Sequence, residues 1–141
     1  MQKLLIAIAI TALAVSAQTQ PAPTIQKVTA SPTSPASGAE MFKAYCAVCH
    51  GVDGKGSGPA APALKMMPAD LTVLAKENKG KFPELRVYGA ITGEVGLAAH
   101  GSKEMPVWGE VFRRMSEGSE GQRQLRIRNL TKYVETLQAK K

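Results

Sequence analysis

The stretch Cys46-Ala47-Val48-Cys49-His50 holds both cysteines of the chain and one of its two histidines. On a helix, positions i, i+3 and i+4 lie on one face. Cys46, Cys49 and His50 can therefore address a single object together. Two thiols and an imidazole converging in this way suit a flat partner that is bonded at its edge and coordinated at its centre.

This is the spacing of covalent c-type haem attachment. The thiols of Cys46 and Cys49 would bond to the two vinyl groups of the porphyrin edge, and His50 would reach the iron as proximal ligand. One covalent haem c is the expected cofactor. Three other uses of the motif compete with it. An oxidising compartment favours a plain disulfide between neighbouring thiols. A thioredoxin-like redox pair needs a preceding strand and a βαβ setting, whereas the flanks here read as helical and glycine-rich. Zinc needs a fourth ligand, and His100 is the one remaining imidazole or thiolate.

Outward from the motif, the pattern is helical. Ser37 and Glu40 have the spacing of a capping box, and Phe42 lies four residues before Cys46. Ser119 and Gln122 repeat the spacing before Ile127, Leu130, Val134 and Leu137, which recur at helical intervals. Between these helices, Asp70 is placed to cap a helix over 71–78. Pro83 suits the first turn of another helix carrying Leu85, Tyr88 and Ile91. No stretch alternates as a strand would, so an all-α fold is predicted, with no internal repeats.

With these residues in view, the chain across 38–137 resembles the class I c-type cytochromes. Gly38-Ala39-Glu40-Met41-Phe42 looks like the family's first helix, and Leu130 and Tyr133 look like its partners on the terminal helix. The crossing also has a physical rationale, because a missing Cβ lets two backbones approach while aromatics fill the space beside them. The resemblance implies a cytochrome c fold of about four short helices, with Gly/Pro-rich loops wrapped around one haem. It also implies a sixth iron ligand, since His100-Gly101-Ser102-Lys103-Glu104-Met105-Pro106-Val107-Trp108-Gly109 resembles the family's Met-Pro-x-aromatic loop.

Met105 is the ligand this implies. Pro106 disfavours helical backbone at Met105 and would present its side chain from extended chain. Met67 precedes Pro68 and meets the same local argument, so the resemblance decides between them; His100 is a third candidate. Met41, Met66 and Met115 are assigned as core filler. The glycine-rich loop 51–59 permits tight turns and close approach to a bulky cofactor, and it resembles the family's haem-edge loop. By that resemblance the Pro59 carbonyl accepts the other ring N–H of His50, with Pro62 as a nearby rival. Arg86, Tyr88 and Trp108 carry donors suited to the haem pocket or its propionates. Residues 60–99 depart furthest from the family pattern.

The ends and the charge concern location and partners. A basic start, an apolar run over 4–15 and small residues up to Ala17 read as a signal peptide over 1–17. Residues 18–37, rich in Pro, Ala, Thr and Ser, read as a flexible leader, which leaves a cytochrome c domain over 38–141. The expected location is the periplasm or another exported compartment, without stable membrane insertion after cleavage. Losing Lys3 lowers the formal charge from +7 to +6, which suits redox proteins with an acidic docking surface. Few aromatics and scattered basic residues argue against nucleic acid. The reading is a monomeric electron carrier rather than an enzyme. Its alternatives are a haem c subunit of a larger respiratory or dehydrogenase complex, and a haem sensor or peroxidase with an open iron site.

Overall fold

The computed structural model describes residues 32–94 and 107–139. The expected signal peptide, most of the expected leader, His100 and Met105 lie outside them.

Ser37 opens the first helix as its spacing predicts, its hydroxyl accepting the Glu40 N–H at 3.2 Å. The Glu40 carboxylate reaches back past Ser37 to the Ser34 N–H, at 3.4 Å. Helix α1 (Gly38–Met41) leads through a wider π turn (Phe42–Cys46) into α2 (Ala47–His50). At that turn the Ala47 N–H donates to the Phe42 carbonyl, five residues back. A 3-10 turn (Ala61–Ala63) follows, then α3 (Leu74–Glu77), α4 (Glu84–Thr92), α5 (Trp108–Met115) and α6 (Glu120–Thr136). No strand occurs among the described residues, and none of their helices is long and apolar enough to cross a membrane.

Helix α6 is the member against which α1, α4 and α5 pack. Its apolar row behaves as the spacing predicts: Ile127, Leu130 and Val134 are buried, and Leu137 packs against the same core. At the α1–α6 crossing, a Cβ on Gly38 would strike the Asn129 carbonyl oxygen and lie 2.8 Å from Cβ of Tyr133. Only glycine lets these backbones approach so closely. One helical turn on, the rings of Phe42 and Tyr133 pack at 5.2 Å.

Three expectations need correction. The carboxylate of Asp70 accepts both the N–H and the hydroxyl of Thr72, at 2.8 and 2.6 Å, closing a local turn that delays the helix to Leu74. Pro83 stands outside α4 as its cap residue, and the inward face of α4 is set by Val87 and Ile91; Leu85 points away and is 86% exposed. Met66 is half exposed rather than core filler, whereas Met41 is fully buried.

Residues ahead of α1 are held against the helices as well. Thr33 is buried, its hydroxyl 2.9 Å from the Tyr45 hydroxyl and 3.1 Å from Nη1 of Arg126. The Asn129 side-chain amide donates to the Pro35 carbonyl at 2.9 Å. Residues 33–37 are thus pinned across α6.

Gly38→Ala tests the crossing through its sign. In an open helix this change would stabilise by about 0.5–1 kcal/mol. Here it is expected to destabilise by about 1–3 kcal/mol through overpacking, read from the midpoint of equilibrium urea unfolding.

Candidate functional site

Helix α2 ends at His50, and the carbonyls of its last turn need partners from outside the helix. The glycine-rich loop supplies them. The N–H groups of Gly56, Gly58 and Ala60 donate to the carbonyls of His50, Cys49 and Val48, at 2.7, 3.0 and 2.8 Å. The order runs backwards along the motif, so the loop folds back antiparallel to it. A Cβ on Gly58 would sit 2.5 Å from the carbonyl oxygens of both Ala47 and Val48. The glycines expected to let a cofactor approach therefore serve backbone packed on backbone.

A second layer lies on the first. Gly56 has φ of +82°, and a Cβ there would strike the Pro68 carbonyl oxygen. The Leu71 N–H donates to the Gly54 carbonyl at 2.7 Å. Between these two contacts, the Ala69 carbonyl oxygen lies 3.0 Å from Nδ1 of His50. This corrects the expected partner. Pro59 is exposed in the turn that follows Gly58, and Pro62 is exposed within the 3-10 turn. Ala69 takes the position because Gly56 lets its segment come down onto the loop.

A carbonyl oxygen can only accept, so Nδ1 must carry the proton of a neutral ring, leaving Nε2 as a bare lone pair. Burial is the leading influence on His50, lowering its pKa and outweighing the opposing bond to Ala69, and so favours that neutral ring. The imidazole is in the protonation state and tautomer that a metal requires.

Beside it lies a small pocket of about 50 Å³, partly open to solvent. Phe42, Cys46 and His50 form one wall, Leu71 and Leu74 the next, Val87 and Ile91 of α4 a third, and Leu130 and Val134 of α6 the floor. Burial, with a smaller contribution from Cys49, pushes the Cys46 thiol up to about 12. A redox-active pair works through a lowered thiol pKa, so this site does not favour a thioredoxin-like role. Cys46 and Cys49 form no disulfide, and among the described residues no three His, Cys, Asp or Glu side chains could hold a metal ion. An apolar pocket with Cys46 and His50 in its wall, and Cys49 beside them on the same short helical segment, carries the donor set of a covalently held haem.

The other expected residues divide. Arg86 borders the pocket from an otherwise exposed position on α4. Tyr88 packs half-buried against the core. Trp108 belongs to an aromatic cluster, its ring 5.2 Å from Tyr45 and 5.7 Å from Phe112. Met67 is 71% exposed and does not line the pocket. The Ala69 carbonyl was missed from sequence, because a backbone acceptor leaves no mark in residue type; Pro68 beside it was weighed only for its effect on Met67.

A model of the cytochrome c family matches residues 35–138. Comparison with curated proteins and with solved structures finds no significant match.

Gly56→Ala is expected to lower stability, since an alanine at this φ costs about 1–2 kcal/mol before any clash with Pro68. Thermal unfolding followed by circular dichroism checks it against the exposed neighbour change Ser57→Ala, which should lie within about 0.5 kcal/mol of wild type.

Proposed function

The chain belongs to the cytochrome c family, a family of haem-binding electron-transfer proteins, and from that premise we propose that it is a monohaem, class I carrier with His50 and Met105 as axial ligands. The observation that carries the reading is the neutral His50 ring, held at Nδ1 by Ala69, beside the two thiols and the apolar pocket. Cys46 and Cys49 would form the two thioethers. Bound haem supplies one-electron exchange at its iron.

The residues of this chain then divide the remaining work. His50 offers the Nε2 lone pair, and its bond to the Ala69 carbonyl fixes ring orientation and raises basicity. Leu71, Leu74, Ile91 and Val134 exclude water from the pocket, which disfavours the extra positive charge of the oxidised state. A Met105 thioether favours the reduced state as well. With His50 and Met105 both holding the iron, no site would remain open for oxygen or a substrate, as suits a carrier rather than a peroxidase or sensor.

Support for Met105 comes from its likeness to the family's ligand loop and from the described residues that flank it. A Cβ on Gly109 would lie 2.7 Å from the Thr92 carbonyl oxygen, and one on Gly93 would lie 2.6 Å from the Val107 side chain. The end of α4, a helix that lines the pocket, thus touches the start of α5. The rest of the reading is an exported carrier, its signal peptide 1–17 removed, that meets acidic redox partners through its net positive charge of +7, or +6 without Lys3.

The test of haem attachment is the mass of exported protein together with the pyridine spectrum of the denatured chain. Wild type should carry one haem bound through saturated vinyl positions, and Cys46→Ala with Cys49→Ala should carry none that survives denaturation. Colourless wild-type protein with the mass of the bare processed chain would overturn the reading. For the sixth ligand, the sulfur-to-iron absorption band of the oxidised protein should vanish in Met105→Ala and persist in Met67→Ala and His100→Ala. A band that survives in Met105→Ala would remove Met105 from the iron.

A further inference from the structure

The Ala69 carbonyl belongs to an irregular stretch between the 3-10 turn and α3, with no regular element of its own to hold it. What fixes that stretch on its far side is the carboxyl end of α6. The amide nitrogen of Gln138 donates to the Leu71 carbonyl at 2.7 Å and also to the Val134 carbonyl at 2.9 Å. Its amide oxygen accepts the Ala75 N–H at 2.8 Å. The next residue continues the attachment, the Ala139 N–H donating to the Thr72 carbonyl at 2.8 Å. One half-buried side chain therefore clamps both ends of the stretch 71–75 to the last turn of α6.

We propose that Gln138 is a positioning residue for the haem iron: by holding 71–75 on α6 it keeps the Ala69 carbonyl on His50 Nδ1 and so helps to set the redox balance. This rests on the reading of His50 as proximal ligand. The stretch is gripped from two sides. On one side Gly54 accepts the Leu71 N–H and glycine at 56 admits Pro68; on the other stands Gln138. Asp70 stiffens the link between Ala69 and Leu71 by bonding the N–H and hydroxyl of Thr72. If the Gln138 grip is lost, Leu71 and Ala75 can move away from α6 and the Ala69 carbonyl can lengthen or leave its bond. An imidazole without that acceptor is a weaker donor, and a weaker donor stabilises the oxidised iron less. The reduced form should gain.

A residue that serves as a strut alone would change stability and leave the iron's electron balance where it was. The experiment separates these. Holoprotein carrying Gln138→Met, which keeps length and neutrality but cannot form these hydrogen bonds, is titrated spectroscopically at fixed applied potentials. The ratio of reduced to oxidised protein should rise by roughly two- to tenfold, the range for losing about one hydrogen bond. The His50 Nδ1–H of the reduced protein should exchange faster with solvent by NMR. Gln124→Met, an exposed change on α6, should leave both readings at wild-type values.

A haem-bearing Gln138→Met with the wild-type ratio and exchange rate overturns this inference alone. Wild-type protein without haem overturns the functional reading and this inference with it. The wild type supplies a reading that needs no variant: its His50 Nδ1–H must resist solvent exchange, and rapid exchange there also overturns the proposal.

Discussion

The bond between Nδ1 of His50 and the Ala69 carbonyl is the contact on which the site depends, because it decides what the other ring nitrogen can do. An acceptor at Nδ1 forces the proton there and leaves Nε2 free. Burial works in the same direction by opposing the charged ring. A nitrogen with a free lone pair is thereby prepared by a backbone group, and no acidic residue is among those that line the pocket. The other contacts around the loop bring that one carbonyl into position.

Glycine is the means. Gly58 lets the loop lie against the carbonyl end of α2, Gly56 lets Pro68 lie against the loop, and Gly38 lets α1 lie against α6. Each position sets backbone on backbone where a methyl group would hold the two apart. The first two approaches stack two irregular layers under the motif, and the third fixes the helix that carries the motif. Close-packed interiors transmit small displacements instead of absorbing them, so a side chain added at any of the three would move the walls of the pocket.

The parts legible in the sequence were those whose chemistry resides in side-chain identity or in a helical period. The two thiols and the imidazole announce themselves by type and spacing, Ser37 and Ser119 by their capping pattern, and Ile127, Leu130 and Val134 by recurrence. Gly38 opposite Tyr133 was legible because a small residue and a facing aromatic are complementary. The partner of His50 was not, because every residue carries a carbonyl and only the path of the chain selects one. The face of α4 was misread at Leu85 because Leu85, Tyr88 and Ile91 fit a helical period about as well as Val87 and Ile91, and packing against α6 chose the second set. Asp70 was misplaced because an aspartate can close a local turn as readily as it can cap a helix. Met105 and His100 lie outside the described residues, and Met105 is proposed on its resemblance and on the meeting of α4 with α5 beside it.

A division of labour along α6 explains how an apolar pocket can coexist with so many polar groups. Toward its middle, Arg126 is buried with no carboxylate bonded to it among the described residues; Nη1 donates to Thr33, while Nε has no partner there. A buried guanidinium is costly unless it is hydrogen-bonded, and Thr33 is the residue that meets part of this demand, which draws the chain ahead of α1 onto the helix. Asn129 takes Pro35 in the same way, and at the far end Gln138 takes Leu71 and Ala75. Between these polar anchors, Leu130 and Val134 present only hydrocarbon to the pocket. The helix ties down two irregular segments of the domain from its middle and from just past its carboxyl end, and lines the pocket from the turns between. These hydrogen bonds of α6 thus stay outside the apolar pocket.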